Sequence, residues 1–253
     1  FIFFYAHLWM NSIEYLSDAV YYYSLWNGDY PYNHCTAVDG TIAAGGGMEY
    51  PNITVIGYSG DSLSLETVIM HEVGHNWFYG ILGSNERDHA WMDEGINSFN
   101  ELRYLRTKYP NVNLLESYLG LPDVMLEFLN LEDKGPEFMY RAGYMLNASR
   151  GYDQPNDLPS ADYTSINYGT MVYMKTAVAF NYLFHYLGDS LFDACMHEYY
   201  DRWHFKHPQP QDIENVFEEV TGKELDWFFK DLLTTTGKVD YKVCGRNLTS
   251  GIK

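Results

Sequence analysis

The chain has 253 residues, of which 46% are hydrophobic and 17% aromatic, enough apolar material for one large core or two modest cores. Its 34 acidic residues outnumber 16 basic residues, and the net charge of -18 argues against nucleic acid or an anionic membrane surface as a partner. No run reaches the roughly twenty apolar residues that a membrane-spanning helix requires, so no transmembrane segment is expected.

The first quarter of the chain predicts one helix followed by two strands. Residues 6–26 have the pattern of a helix that ends at Asn27-Gly28. Residues 36–42 and 53–58 are rich in β-branched side chains and bounded by Gly and Pro, which predicts strands. Between them lie three glycines and then Met48-Glu49-Tyr50-Pro51, a pattern that by itself indicates either a plain turn or a strand edge open to a ligand.

The remaining elements are predicted to be helices separated by loops. Helices are expected over residues 64–82, 93–109, 171–187, 191–203, 212–220 and 225–233, with Asp61, Ser62 or Ser64 capping the first and Asp212 capping the fifth. A loop rich in Pro, Asp and Asn covers residues 151–162. The pattern predicts an α+β fold, with a small N-terminal sheet portion followed by a mainly helical lobe.

The two ends of the chain predict a domain taken from a larger protein. The first six residues lack both an initiator Met and the basic stretch of a signal peptide. Residues 239–243 alternate like the first strand of a following module. We therefore expect one domain over residues 1–235, and the start of another module or a tail over residues 236–253.

The segment with the clearest chemistry is His71-Glu72-Val73-Gly74-His75. On a helix, His71 and His75 lie one turn apart on one face, so both imidazoles reach one cation, and Glu72 can hold a metal-bound water. Eighteen residues then separate His75 from Glu94, the spacing at which thermolysin-like zinc peptidases supply a glutamate ligand. Two His and one Glu with a fourth position open form a catalytic zinc site rather than a closed structural one.

A chance match to this motif is the simplest alternative. Ordinary residue frequencies give such a match in about one chain in a hundred of this length, often on a solvated helix face. Here the flanking residues make the helix apolar nearly all round: Val68, Ile69, Met70, Val73, Trp77, Phe78, Ile81 and Leu82. Such a helix is buried, and buried His and Glu side chains must be paired or coordinated, which favours a metal site.

Three segments together resemble the catalytic domain of the gluzincin aminopeptidases, the family of aminopeptidase N and leukotriene hydrolase. The 46–49 segment, Gly-Gly-Met-Glu, is similar to the family's exopeptidase motif, and residues 71–75 with Glu94 are similar to its metal motif. Met171-Val172-Tyr173-Met174-Lys175 is similar to the segment that carries its catalytic tyrosine. The resemblance implies a thermolysin-like catalytic domain with one catalytic zinc ion, and flanking domains that this chain lacks.

The same resemblance implies a role for each matching residue. His71, His75 and Glu94 would bind zinc, Glu72 would take a proton from water, and Tyr173 would donate to the developing oxyanion. The substrate-binding residues would be Gly46, Gly47, Met48 and Glu49. The Glu49 carboxylate would pair with the α-ammonium group of a peptide with a free N-terminus, which makes the enzyme an exopeptidase.

Three further predictions concern residues outside these motifs. Glu101 lies two turns after Glu94 on roughly the same helix face, where it would either orient a ligand histidine or face solvent. Tyr168 and Tyr173 are five residues apart, about 140° on an α-helix, and are not expected to share a role. The three cysteines, Cys35, Cys195 and Cys244, are far apart and have no CxxC spacing, which predicts thiols rather than a disulfide framework.

Two other functions stay open beside the zinc aminopeptidase. The family includes an epoxide-opening member with the same zinc apparatus, whose fatty-acid tunnel needs domains absent here. It also includes inactive relatives that act as scaffolds, for which we would expect a lost ligand or a lost Glu72. The sequence retains His71, His75, Glu94 and Glu72, so hydrolysis of the N-terminal peptide bond is the leading prediction.

Overall fold

The structure is a computed structural model that describes residues 7–42 and 45–238. The first six residues, which we interpreted as lacking the features of a signal peptide, lie outside the described residues. The predicted strand over residues 239–243 and the thiol of Cys244 also lie outside them, as does most of the module or tail predicted from residue 236.

The helices make up most of the described chain. The α-helices are α1 (Ser12–Asn27), α2 (Ser62–His75), α3 (Glu94–Lys108), α4 (Leu114–Leu119), α5 (Asp123–Leu129), α6 (Glu137–Ala148), α7 (Ser165–Asn167), α8 (Thr176–Leu187), α9 (Asp189–Trp203) and α10 (Pro210–Thr221). Three stretches are π-helical, Asn76–Ile81, Tyr168–Lys175 and Trp227–Leu232, and three are short 3-10 turns, Leu8–Asn11, Ala90–Met92 and Ser160–Asp162. Every helix expected from the sequence has a counterpart, whereas α4, α5 and α6 lie in residues 111–150, which carry no sequence prediction.

A small sheet precedes α2. Its strands are β1 (Thr36–Asp39), β2 (Gly47–Met48) and β3 (Ile53–Ile56), arranged in the order β1-β3-β2. β1 runs parallel to β3 with Thr36 opposite Ile53, and β2 runs antiparallel with Gly47 opposite Ile56. Both expected strands are present but shorter than predicted, and the glycine-rich segment supplies β2 instead of a plain turn. This confirms a mainly helical fold with a small N-terminal sheet.

Helix ends follow local hydrogen bonding. Asp61 caps α2, because its Oδ1 accepts from the backbone N–H of Ser64 at 2.8 Å. The predicted cap of α10 is wrong. The N-cap is Gln209, and Asp212 lies inside the helix, where its carboxylate accepts from the backbone N–H of Gln209 at 2.7 Å. Pro210 fits this start because the first helical residue needs no N–H donor, and the helix ends at Gly222 as predicted.

Helix α2 is the buried centre of the fold, as its apolar flanks predict. It packs between α1 and α3, and its residues Ile69, Met70 and Val73 are fully buried, as is Trp77 in the π-helical stretch that follows. A Cβ at Gly74 would overlap the side chains of Tyr23 on α1 and Asn97 on α3. Only glycine therefore allows both neighbouring helices to approach α2 at this point. Asn97 also donates to the carbonyl oxygen of His71 at 2.7 Å, which locks α3 onto α2.

Lys175 is an unusual member of the core. It ends the second π-helical stretch, is only 2% exposed, and donates from Nζ to the carbonyl oxygen of Thr235 at 3.0 Å. Its side chain lines a cavity of about 520 Å³ with Tyr144, Val178 and Leu232 among its walls. The fold thus buries an amine among mostly apolar neighbours.

Cys35 and Cys195 are free thiols, half-buried and buried respectively.

Within the described residues, no helix combines the length and the apolar character that crossing a bilayer requires.

Candidate metal centre

Helices α2 and α3 bring His71, His75 and Glu94 together. The Nε2 atoms of His71 and His75 lie 3.1 and 3.3 Å from the same oxygen, Oε2 of Glu94. The potential ligand atoms of the three side chains all lie within 4.8 Å of one another. We call these three residues the histidine cluster. Two imidazole nitrogens and one carboxylate oxygen that converge in this way form a donor set that suits Zn²⁺.

A second carboxylate lies behind each histidine. The Nδ1 of His71 is 2.9 Å from Oε2 of Glu101, and the Nδ1 of His75 is 2.6 Å from Oδ1 of Asp93. A carboxylate at Nδ1 accepts its proton, so each ring keeps Nε2 free for the shared centre. Of the two alternatives for Glu101, the structure places it against His71 rather than in solvent. Asp93 was not predicted, although a carboxylate directly before Glu94 is a signal for such a partner.

The electrostatics of the cluster require positive charge at its centre. Burial alone would lower the pKa of His71, but hydrogen bonds to Glu101 and Glu94 outweigh it and raise that pKa to about 10. For His75, burial is likewise outweighed by Asp93 and Glu94, which raise its pKa well above the usual value. Burial would raise the pKa of Glu94, yet the two histidines hold it far below its usual range. A divalent cation between these side chains would supply the charge that protons otherwise bring, so the residues present fit zinc.

Glu72 is a buried carboxylate beside the cluster. Its Oε2 has no hydrogen-bond partner among the described residues. Burial raises the pKa of Glu72 to about 7, against the opposing effect of the two histidines. A Cβ at Gly47 would overlap the Glu72 side chain, so the glycine lets strand β2 lie directly on it. An unpartnered buried carboxylate oxygen is costly, which indicates that the site is shaped to receive another polar group there.

The edge of the sheet forms the neighbouring wall. Glu49 follows β2 directly, and one of its oxygens groups within 4.8 Å with potential ligand atoms of Glu72 and His75. Gly47 and Met48 are half-buried on β2, and Gly46 before them has a φ of 69°, which glycine adopts without strain. The structure therefore brings the 46–49 segment and the histidine cluster to one place.

Tyr173 lies over the ring of His71. The two rings stack with centroids 6.0 Å apart and planes 17° apart. Burial and the neighbouring Glu94 raise the pKa of Tyr173, so its hydroxyl keeps its proton and can donate it. The predicted separation from Tyr168 is wrong, since their ring centroids are only 5.8 Å apart. The stretch is π-helical, and residues five apart then lie on nearly the same face.

An apolar cavity of about 300 Å³ opens beside Tyr173. Its walls include Glu101, Leu114, Met139, Tyr140 and Met174. Tyr140 of α6 also donates a hydrogen bond to Oε1 of Glu101. No sequence signal points to Tyr140, because its contact with Glu101 spans 39 residues and exists only in the folded chain.

A second group of potential ligands lies elsewhere in the fold. Glu214, Glu218 and Asp226 bring carboxylate oxygens within 4.8 Å of one another, and we call them the carboxylate cluster. Lys230 stands among them, with Nζ 2.6 Å from Asp226 and 3.3 Å from Glu214. This cluster contains no histidine, and it already has a cation of its own.

Residues 17–232 match the model of the peptidase family M1 domain. The chain is 23% identical over 181 residues to aminopeptidase M1-D of Oryza sativa subsp. japonica, covering 71% of this chain and 18% of that protein. It is 21% identical over 180 residues to aminopeptidase N of Lactococcus lactis subsp. lactis, covering 67% and 18%. The chain thus spans less than a fifth of these relatives.

Two solved structures share the fold. The M1 zinc metallopeptidase of Deinococcus radiodurans superposes with a TM-score of 0.63 at 16% identity, covering 89% of this chain and 45% of that one. Yeast LTA4 hydrolase in complex with bestatin superposes with a TM-score of 0.64 at 17% identity, covering 94% and 37%.

Proposed function

The chain belongs to peptidase family M1, and from that premise we propose that it is a zinc-dependent aminopeptidase that hydrolyses the first peptide bond of peptides. The observation that carries the proposal is the convergence of the histidine cluster beside the unpartnered oxygen of Glu72. The relatives that are named aminopeptidases support the choice of substrate. Because the chain spans only part of their length, the proposal concerns the catalytic centre.

The metal would be held by Nε2 of His71, Nε2 of His75 and the carboxylate of Glu94. Once bound, zinc supplies Lewis acidity, which polarises a carbonyl group and makes water acidic enough to lose a proton near neutral pH. Asp93 and Glu101 would keep the two imidazoles oriented by accepting from their Nδ1 atoms.

Proton transfer falls to Glu72. Its Oε2 is the free, buried acceptor next to the cluster, so it would take the proton from the attacking water. The same carboxylic acid would then give the proton to the leaving amine, which returns Glu72 to its starting state. The close contact with Gly47 limits the movement of the Glu72 side chain during both transfers.

Tyr173 and Glu49 would act on different groups of the substrate. The neutral hydroxyl of Tyr173 would donate to the carbonyl oxygen as that oxygen gains negative charge. The carboxylate of Glu49 would bind the α-ammonium group. Because Glu49 lies next to Glu72, the bond that reaches the proton acceptor would be the first one in the peptide.

The test measures metal content and cleavage on the purified protein that contains this chain. We expect one zinc ion per chain by elemental analysis, and release of a fluorophore from aminoacyl substrates. Acetylation of the same substrates at the N-terminus should abolish cleavage. Absence of zinc would contradict the metal assignment, and cleavage of blocked peptides at internal bonds would indicate an endopeptidase. Zinc without hydrolysis of any substrate would indicate an inactive relative.

A further inference from the structure

Tyr140 connects helix α6 to the metal centre through a single carboxylate. Its hydroxyl donates to Oε1 of Glu101, and Oε2 of Glu101 lies 2.9 Å from Nδ1 of His71. Tyr140 is buried, with 7% of its surface exposed. Its side chain also forms part of the wall of the apolar cavity beside Tyr173. One side chain therefore faces the cavity and contacts the carboxylate behind a cluster histidine.

We propose that Tyr140 is a positioning residue that fixes Glu101 against His71 and makes this contact responsive to the substrate side chain in the cavity. The proposal rests on the proposed function, because it takes His71 to be a zinc ligand. It adds a residue from a part of the chain in which no sequence motif occurs.

The two histidines differ in how their orienting carboxylates are held. Asp93 has a short side chain and is 2% exposed, so burial leaves it little freedom beside His75. Glu101 has one more rotatable bond and is only partly buried, so a single contact with His71 leaves its carboxylate plane free to turn. A hydrogen bond to the second oxygen removes that freedom. A carboxylate held in this way fixes the imidazole ring and raises the basicity of its metal-binding nitrogen.

The cavity lies where a bound peptide would continue. Glu49 groups with Glu72 and the one histidine, His75, whereas Glu101 and Tyr173 adjoin the other histidine, His71. A peptide with its amino group at Glu49 would cross the metal and direct the side chain of its second residue toward the cavity.

The cavity wall selects the kind of side chain that fits. Leu114, Met139 and Met174 make the wall largely apolar, so a cavity of this size would accommodate an apolar side chain such as leucine. An apolar side chain there would exclude water from the contact between Tyr140 and Glu101. Exclusion of water strengthens such a hydrogen bond, so the second residue of the substrate would affect how firmly His71 is held.

The first test is Tyr140→Phe, which removes only the hydroxyl and keeps the ring that packs α6. We expect zinc affinity, measured by competition with a chelator, to fall about three- to tenfold, the effect of one hydrogen bond. Tyr144→Phe is the matched control, because Tyr144 lies one turn later on α6 and lines the other cavity with Lys175. It should leave zinc affinity unchanged. Equal affinities for wild type and Tyr140→Phe would overturn the proposal.

A double-mutant comparison shows whether Tyr140 acts through Glu101. Glu101→Ala should weaken zinc binding by about 10- to 100-fold, and adding Tyr140→Phe should then cause no further loss. Additive losses would overturn the proposal in favour of a general packing role. Thermal melting of each variant confirms that the compared proteins are folded.

Substrate preference provides a further readout, because a ratio of two kcat/KM values does not depend on the fraction of the protein that is folded. The preference in kcat/KM for leucine over glycine as the second residue should fall in Tyr140→Phe, mainly through kcat. Met139→Ala, which widens the cavity and keeps the hydroxyl, should lower the same preference through KM with unchanged zinc affinity. An unchanged preference in both variants would show that the cavity does not bind the side chain of the second substrate residue. Failure of the wild-type protein to bind zinc or to cleave any peptide would instead contradict the proposed function.

Discussion

The histidine cluster and the carboxylate cluster both bring three potential metal ligands within 4.8 Å, yet they differ in what faces the ligands. In the carboxylate cluster, Lys230 contacts Glu214 and Asp226 and supplies the positive charge. In the histidine cluster, the groups behind the donors are two further carboxylates, Asp93 and Glu101. The carboxylate cluster therefore already has a cation from the chain itself, whereas the histidine cluster has further negative charge around its donors.

This difference shows why the histidine cluster, and not the carboxylate cluster, is the one proposed to bind a metal ion. Short distances among ligand atoms occur in both clusters and do not separate them. Orientation of both histidines by a second carboxylate separates them, as does the lack of a lysine contact to the histidine cluster within the described part of the chain. Both clusters have, in or beside them, a buried carboxylate oxygen without a hydrogen-bond partner among the described residues, but that of Glu214 lies 3.3 Å from Lys230, whereas Glu72 lies beside the histidine cluster without being one of its three donors. A base placed in this way is expected of a catalytic centre rather than a structural one.

The largest effect is expected from Glu72→Gln beside the histidine cluster. The amide cannot accept a proton, so kcat should fall by about 10⁴-fold, near the upper range for loss of a positioned base. Zinc content by elemental analysis should stay at one ion per chain, because Glu72 is not among the ligands. A near-normal rate would show that the unpartnered oxygen has no part in catalysis.

Tyr173→Phe is expected to have the next largest effect. Loss of one preorganised donor to an oxyanion costs about 10²–10³ in kcat, with little change in KM or zinc content. Tyr168→Phe is the control, since Tyr168 contacts the ring of Tyr173 but does not stack on His71. Steady-state kinetics of both variants show which of the two tyrosines donates to the oxyanion. If Tyr168→Phe proved the more damaging change, the two tyrosines would exchange roles and the metal ligands would stay as proposed.

Glu49→Ala tests the link between the sheet edge and the cluster. The lost ion pair should lower kcat/KM for substrates with a free amino group by about 10- to 100-fold, the range for a hydrogen bond to a charged group. Acetylated substrates should be cleaved poorly by both proteins, which provides the control. If Glu49→Ala cleaved free and acetylated substrates with the same kcat/KM as the wild type, Glu49 would not be the residue that binds the amino group of the substrate.

The smallest effect is expected at the carboxylate cluster. Glu218→Gln removes one of its charges and keeps an oxygen that can accept from the backbone N–H of Leu225. Zinc content and turnover should therefore match the wild type, whereas His75→Ala should release zinc. Loss of zinc in Glu218→Gln would contradict the distinction drawn between the two clusters.

The proximity of His71 and His75 follows from a local rule that can be applied to a sequence. The spacing of His71 and His75 fixes a shared helix face, and the apolar flanks of α2 indicate burial. Placement of Glu94 and Glu101 on one face of α3 depends on the same helical periodicity. The approach of α3 to α2 is a tertiary contact, so periodicity leaves open whether Glu101 faces His71 or solvent, and Glu94 is identified by the spacing seen in thermolysin-like zinc peptidases.

Other features arise only from tertiary packing. The contact of Tyr140 with Glu101 joins helices distant in the chain, and helix α6 itself carries no sequence prediction. The juxtaposition of Tyr168 and Tyr173 depends on a π-helical stretch, whereas regular α-helical periodicity predicts that they diverge. The cap of α10 was misassigned because Gln209 and Asp212 act as a reciprocal pair, and a single-residue signal favours only the aspartate.

Because Lys175 is buried, the free energy of unfolding is expected to change with pH in the alkaline range. Burial lowers the pKa of Lys175 to about 8, whereas an exposed lysine has a pKa near 10.5. Between these values the unfolded chain binds a proton that the folded chain has released, so the free energy of unfolding contributed by this group increases with pH. The increase is on the order of 3 kcal/mol and is complete above pH 10.5. Urea unfolding from pH 7 to 11 should show this rise in the wild type relative to Lys175→Met, which lacks the titrating amine.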